Sequence, residues 1–116
     1  MRKFSFFQQD IAIDLGTANT IIIIDGKIVV DEPSIVAIDK TGKTIAVGTK
    51  AKQMHGKTHE DIKTIRPLRD GVIADFNIAE VMIKGLINQA IKKKFFYILG
   101  HFTTVHTSID THETGD

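Results

Sequence analysis

The sequence predicts an α/β fold, and three observations carry that expectation. Four consecutive isoleucines, Ile21 to Ile24, do not alternate with polar residues, as expected of a strand covered on both faces by helices. Asp25 and Gly26 follow at once and precede a second apolar run, Lys27 to Val30. An Asp-Gly pair favours a two-residue type I′ turn because both positions take positive φ. After Asp75, apolar residues recur at Phe76, Ala79, Met82, Ile83, Leu86, Ile87, Ala90 and Ile91, the three-and-four spacing of one helix face.

Taken in order, Ile11 to Ile13, Thr20 to Ile24 and Lys27 to Val30 are expected as three strands. Ile35 to Ile38 and Thr44 to Val47, joined across Lys40 to Lys43, form another hairpin, and Pro33 suits the edge or beginning of a strand. Gly48 to His55 tolerates a short helix, with Gly56 placed as its C′ stop. Ile62 to Ile65 reads as a short strand ended by Pro67. Asp75 is a good N-cap for the long helix. Gly85 costs that helix about 1 kcal/mol relative to alanine. Two readings of it stay open: close packing at that point, or a tolerated weakness.

Between the first two strands lie Asp14, Leu15, Gly16, Thr17, Ala18, Asn19 and Thr20. A carboxylate at a strand end, a glycine turn and small polar residues make a hairpin whose tip can hold a phosphate. Backbone N–H groups point into such a tip, and glycine lets a ligand approach with no Cβ in the way. Phosphate oxygens repel Asp14 unless a cation lies between them, so the arrangement implies Mg²⁺ reached through its waters, and the ligand is Mg-nucleotide. The same residues also make an ordinary hairpin loop, because glycine and asparagine tolerate turns and threonine fits strands. No Gly-Lys-Ser/Thr follows, so this is no P-loop. A single glycine with no helix after it is no Rossmann fingerprint.

The chain has 116 residues, 42% hydrophobic and 25% charged, enough for one packed domain. A formal net charge of +1, with lysines spread apart except at Lys92 to Lys94, gives no polyanion bias, so nucleic acid is not an expected partner. No cysteine is present, so disulfides and thiolate metal sites are excluded. No stretch reaches the apolar length of a membrane span, and a cytoplasmic protein is the simplest expectation.

The run from Ile11 to Thr20 closely resembles the first phosphate motif of the MreB family, the bacterial actin homologues that determine rod shape. Asp31 to Ile38, Ile45 to Gly48 with Ala51 and Met54, and Thr64 to Leu68 followed by Asp70 to Asp75 resemble the same family in the same order. The likeness runs from about Asp10 to about Ile91. It implies an incomplete actin-like, ribonuclease H-like ATPase lobe: a hairpin and meander sheet, a small inserted subdomain at about 34–65, and a returning helix. A complete protein of this kind is roughly three times longer, because two lobes close on the nucleotide. Carried over residue by residue, Gly16, Thr17, Ala18 and Asn19 form the loop around the phosphates of ATP, and Asp14 is the carboxylate near Mg²⁺. The second phosphate loop, the adenosine segment and the residue that activates water have no counterpart in this chain. Weak ATPase activity is therefore a property expected of the family rather than of the chain.

After Ile91 the likeness stops, and 92–116 reads as an unrelated or frame-shifted tail in which Phe95 to Leu99 could form a strand. His101, His106 and His112 are spaced five and six apart, on no common helical face, and no carboxylate pair accompanies them, so a solvated tail is expected rather than a metal site. At the other end, residues 1–9 combine Arg2 and Lys3 with Phe4, Phe6 and Phe7. On a helix Phe4 and Phe7 share a face. Two readings stay open: membrane contact by these phenylalanines, which the resemblance favours, or a frayed end with one Phe tucked into the core. The resemblance implies an ATP-binding protein that forms filaments of its own copies at the inner face of the cytoplasmic membrane and organises wall synthesis there. The alternatives are a lobe of an Hsp70-type or sugar-kinase-type ATPase, which opens with a similar hairpin, and an inactive remnant.

Overall fold

The structure, a computed structural model, describes residues 10–56 and 61–110. Strands β1 (Ile11–Leu15), β2 (Asn19–Ile24) and β3 (Lys27–Pro33) form an antiparallel meander in that spatial order. Asp25 and Gly26 both have positive φ, 50° and 77°, as the type I′ expectation requires. In the second sheet β4 (Val36–Asp39) lies between β5 (Thr44–Val47) and β6 (Ile62–Ile65), antiparallel to both. Helix α1 (Thr49–Met54) packs on this sheet and buries Ala51 beside Ile35 and Ala37.

The main core lies between the meander and α2 (Phe76–Asp110). Ile22, Ile24 and Val30 from the sheet meet Met82, Leu86 and Ala90 from the helix, with Val36 and Leu68 closing the cluster. Each of the larger side chains contributes about 1.5–3 kcal/mol by leaving water. Asp75 caps the helix as expected, its carboxylate accepting from the Ile78 N–H at 3.1 Å. Gly85 is a point of close packing: a Cβ there would lie 2.9 Å from Val47 Cγ2, so the glycine lets α2 pass over β5. One helix thus touches both sheets.

Four features depart from the sequence reading. The isoleucine strand is covered on one face only: Ile22 and Ile24 are buried, whereas Ile21 and Ile23 are half-buried on the face away from α2. The helix stripe is narrower than its apolar spacing, because Phe76 and Ile91 stay exposed. A short ribbon, β7 (Leu68–Arg69) with β8 (Val72–Ile73), turns on Asp70 and Gly71, both with positive φ. Phe95 to Leu99 form no strand but continue α2. Lys92 to Lys94 are good helix formers with no proline or glycine among them, and a helix satisfies its own backbone where no sheet edge is offered. Over this stretch Phe95, Phe96, Tyr97, Ile98 and Leu99 are all exposed.

Candidate functional site: the β1–β2 turn

The turn between β1 and β2 closes on itself by a Gly16 N–H bond to the Asn19 carbonyl, 3.1 Å. A Cβ on Gly16 would run into that same carbonyl, so the close approach requires glycine. The turn's acceptors are then engaged from behind by residues far away in sequence. Ser34 Oγ donates to the Gly16 carbonyl at 2.6 Å and shares a hydrogen bond with Thr20 Oγ1 at 2.8 Å, both side chains being buried. The Ala18 carbonyl accepts from the Ser34 N–H at 2.8 Å and from Arg66 Nη1 at 3.4 Å. Thr17 Oγ1 accepts from the Gly71 N–H at 2.8 Å, which leaves its hydroxyl proton free to donate elsewhere.

This bracing has a chemical consequence. The Gly16, Ala18 and Asn19 carbonyls are satisfied within the protein, whereas among the described residues no protein group accepts from the N–H of Thr17 or of Ala18. Ala18 and Asn19 are exposed and Thr17 is half-buried, so these donors are open to a ligand. Two neighbouring free N–H groups, a hydroxyl proton and a glycine without Cβ suit an anion with several acceptor oxygens, as a phosphate has.

Asp14 lies on β1 opposite Ile21, which in turn lies opposite Asp31 on β3. Directly paired residues share a face, so Asp14, Asn19 and Asp31 stand on the side of the sheet away from α2. Asn19 Nδ2 donates to Asp31 Oδ1 at 3.1 Å, and Asp14 is exposed. Among the described residues no group of three or more His, Asp or Glu side chains gathers into a metal cage. A single exposed carboxylate such as Asp14 is compatible with a cation that keeps most of its own waters.

The structure brings together Gly16, Thr17, Ala18 and Asn19, with Asp14 at the end of the adjoining strand. Phe4, Phe6, Phe7 and His112 lie outside the described residues. The sequence reading missed the bracing set of Ser34, Arg66 and Gly71. Only Asp70-Gly71 carried a local signal, being the same turn pair as Asp25-Gly26. One further carboxylate was missed: Glu32 accepts from the Thr49 N–H at 2.7 Å and from the Thr49 hydroxyl, tying β3 to the start of α1.

The chain is similar to known proteins over most of its length. The family model described as "MreB/Mbl protein" matches residues 8–113. The cell shape-determining protein Mbl of Bacillus cereus is 58% identical over 92 residues, covering 78% of this chain and 28% of that protein. The cell shape-determining protein MreB of Escherichia coli K12 is 48% identical over 102 residues, covering 82% of this chain and 29% of that protein. Among solved structures, MreB5 of Spiroplasma citri bound to AMPPNP superposes with a TM-score of 0.62 at 43% identity, covering 69% of this chain and 25% of its own. The same protein bound to ADP gives 0.63 at 41% identity, covering 72% and 26%. The chain thus spans little more than a quarter of the length of these relatives, and its fold is part of the actin-like fold they share.

Proposed function

The chain belongs to the MreB/Mbl family of cell shape-determining proteins, and on that premise we propose that its β1–β2 turn is the phosphate-holding part of an ATP site. The observation that carries the proposal is the pair of N–H groups at Thr17 and Ala18 for which no described protein group is an acceptor, in a turn braced by the bonds from Ser34, Arg66 and Gly71. Relatives solved with AMPPNP and with ADP support the choice of nucleotide. In this reading Gly16 admits the phosphates, Thr17, Ala18 and Asn19 donate to them, and Asp14 orients the waters of Mg²⁺. The metal supplies positive charge against the phosphate oxygens. These residues bind and orient. None of them is placed to activate a water molecule, so the chain alone is expected to bind nucleotide weakly and to turn it over little or not at all.

The wider reading follows the family. Residues 10–91 serve as an incomplete actin-like lobe with an inserted part at about 34–65. In a complete protein nucleotide closure sets the geometry in which copies stack into filaments. Those filaments lie at the inner face of the cytoplasmic membrane, with Phe4, Phe6 and Phe7 as membrane contacts, and organise the wall-synthesis machinery.

The test is equilibrium binding of a fluorescent ATP analogue to the 116-residue chain with and without Mg²⁺. Saturable, magnesium-dependent binding is expected, weakened about tenfold or more by Gly16→Ala, because a Cβ there runs into the Asn19 carbonyl and the turn that presents the Thr17 and Ala18 N–H groups must open. Binding unchanged by both Gly16→Ala and Asp14→Asn would reduce the turn to an ordinary hairpin loop.

A further inference from the structure

Ser34 braces the β1–β2 turn, and the segment that carries Ser34 is itself clamped by another element. β3 ends at Pro33, which has no N–H to donate, and the Ile35 N–H turns back to the Pro33 carbonyl at 2.9 Å, so the chain bends at Ser34. Gly48 and Thr49, at the entry to α1, hold this bend on both sides. The Gly48 N–H donates to the Ile35 carbonyl at 2.9 Å. Glu32 Oε2 accepts from the Thr49 N–H at 2.7 Å and from the Thr49 hydroxyl. Ser34 therefore lies between two anchored neighbours.

The fit around Glu32 is close. The residue before α1, Gly48, has no side chain with which to cap the helix, so the half-buried Glu32 satisfies a first-turn N–H from a different element. A Cβ on Gly48 would lie 2.8 Å from Glu32 Oε2 and 3.2 Å from Glu32 Cβ, so the glycine lets the helix entry press against the carboxylate. In the sheet Glu32 pairs with Thr20, and Thr20 shares the buried hydroxyl hydrogen bond with Ser34. Residues two apart on an extended chain are separated by about 7 Å, so a shift at the helix entry reaches Ser34 through one short segment.

We propose that Glu32 is a positioning residue for the β1–β2 turn. By gripping Thr49 it fixes the bend from which Ser34 holds the Gly16 and Ala18 carbonyls, and so couples the entry of α1 to the turn's affinity for phosphate. Glu32 itself touches no ligand in this scheme. The inference rests on the nucleotide reading of the turn and adds what regulates it. Because coupling is reciprocal, a nucleotide held in the turn also slows opening at Thr49.

The test begins without nucleotide, with amide exchange followed residue by residue in the 116-residue chain. Glu32→Ala and Thr49→Val are each expected to speed exchange at Gly16 and Ser34 about threefold to tenfold, to leave Asp25 unchanged, and to weaken binding of the fluorescent ATP analogue by a similar factor. Glu32→Gln keeps an acceptor and is expected to restore part of the loss. The double variant is expected to lose no more than the larger single one, because both substitutions act on the same contact. If Glu32→Ala lacks a native far-UV circular dichroism spectrum, Thr49→Val and Glu32→Gln carry the test. Faster exchange confined to 49–54, with Gly16 and Ser34 unchanged, overturns the inference and reduces Glu32 to a fastening of α1. Equal acceleration at Gly16, Asp25 and Met82 also overturns it, as a general loss of stability. Analogue binding that survives all three substitutions unchanged overturns this inference alone, whereas an unsubstituted chain that binds no analogue overturns the nucleotide reading and this inference with it.

Discussion

The two ends of β2 are both turns that bring a neighbouring strand back alongside, and they are held in different ways. At one end Asp25 and Gly26 adopt the φ values their residue types favour, and the side-chain bond across the turn is a surface ion pair to Lys94. At the other, Gly16 to Asn19 are shaped by Ser34, Arg66 and Gly71, residues 18, 48 and 54 positions away from the groups they bind. The first turn follows local preference, with Asp10 and Lys94, 15 and 69 positions away, bonded to Asp25 in addition, and its shape is expected to survive their loss. The second is built by the tertiary structure, and that construction leaves two backbone donors with no acceptor among the described residues. Function is expected at the end whose shape depends on the rest of the chain.

Several substitutions sharpen this contrast. Leu86→Ala opens a cavity in the core beneath both ends of β2 and is expected to lower stability by about 2–5 kcal/mol in denaturant titration, with both ends failing together. Ser34→Ala removes the donor to the Gly16 carbonyl and the partner of the buried Thr20 hydroxyl. Its expected cost is about 1–3 kcal/mol, together with loss of nucleotide-analogue binding and faster amide exchange at the β1–β2 turn. If stability falls while binding stays intact, the bracing does not shape the site. Gly26→Ala forces a Cβ into positive φ and is expected to cost about 1 kcal/mol while leaving binding unchanged. Weakened binding there would show that the two ends are coupled.

The smallest effect is electrostatic. The hydrogen bond from Lys94 holds the Asp25 carboxyl below the usual carboxylate range; desolvation opposes it, and the Lys94 charge and the Asp10 N–H lower it further. A carboxyl whose folded value is depressed stabilises the fold fully above its unfolded value, about pH 4, and loses that contribution as pH falls through the depressed value. Lys94→Met should therefore flatten the acid limb of the thermal stability curve slightly. Because the pair is exposed, moderate salt should mimic the substitution.

Where a residue type favours one conformation by itself, the structure kept it. Asp25-Gly26 turns as its φ preference dictates, Asp75 caps its helix, and Gly56 follows α1 with positive φ. Asp70-Gly71 obeys the same rule and was legible, although the ribbon it makes was not among the expected strands. The Phe95 to Leu99 run misled, because five adjacent apolar residues carry no period and suit a strand or a helix equally. At the candidate site Gly16 to Asn19 were legible as a motif and Asp14 as its carboxylate. Ser34 and Arg66 were not legible as partners, because a hydrogen bond across tens of residues leaves no local pattern.

What the amino-acid sequence determined by itself is therefore most of the element types up to Ile91, the Asp-Gly turn at Asp25-Gly26, the Asp75 cap and the family, since each rests on preferences that act within a few residues or on a run of matching motifs. Only the tertiary structure decided which face of the isoleucine strand is covered, why Gly85 must be small, and which distant residues brace the turn that holds Thr17 and Ala18. Those depend on where Val47, Ser34, Arg66 and Gly71 come to lie, and packing distant segments against one another is a property of the whole fold.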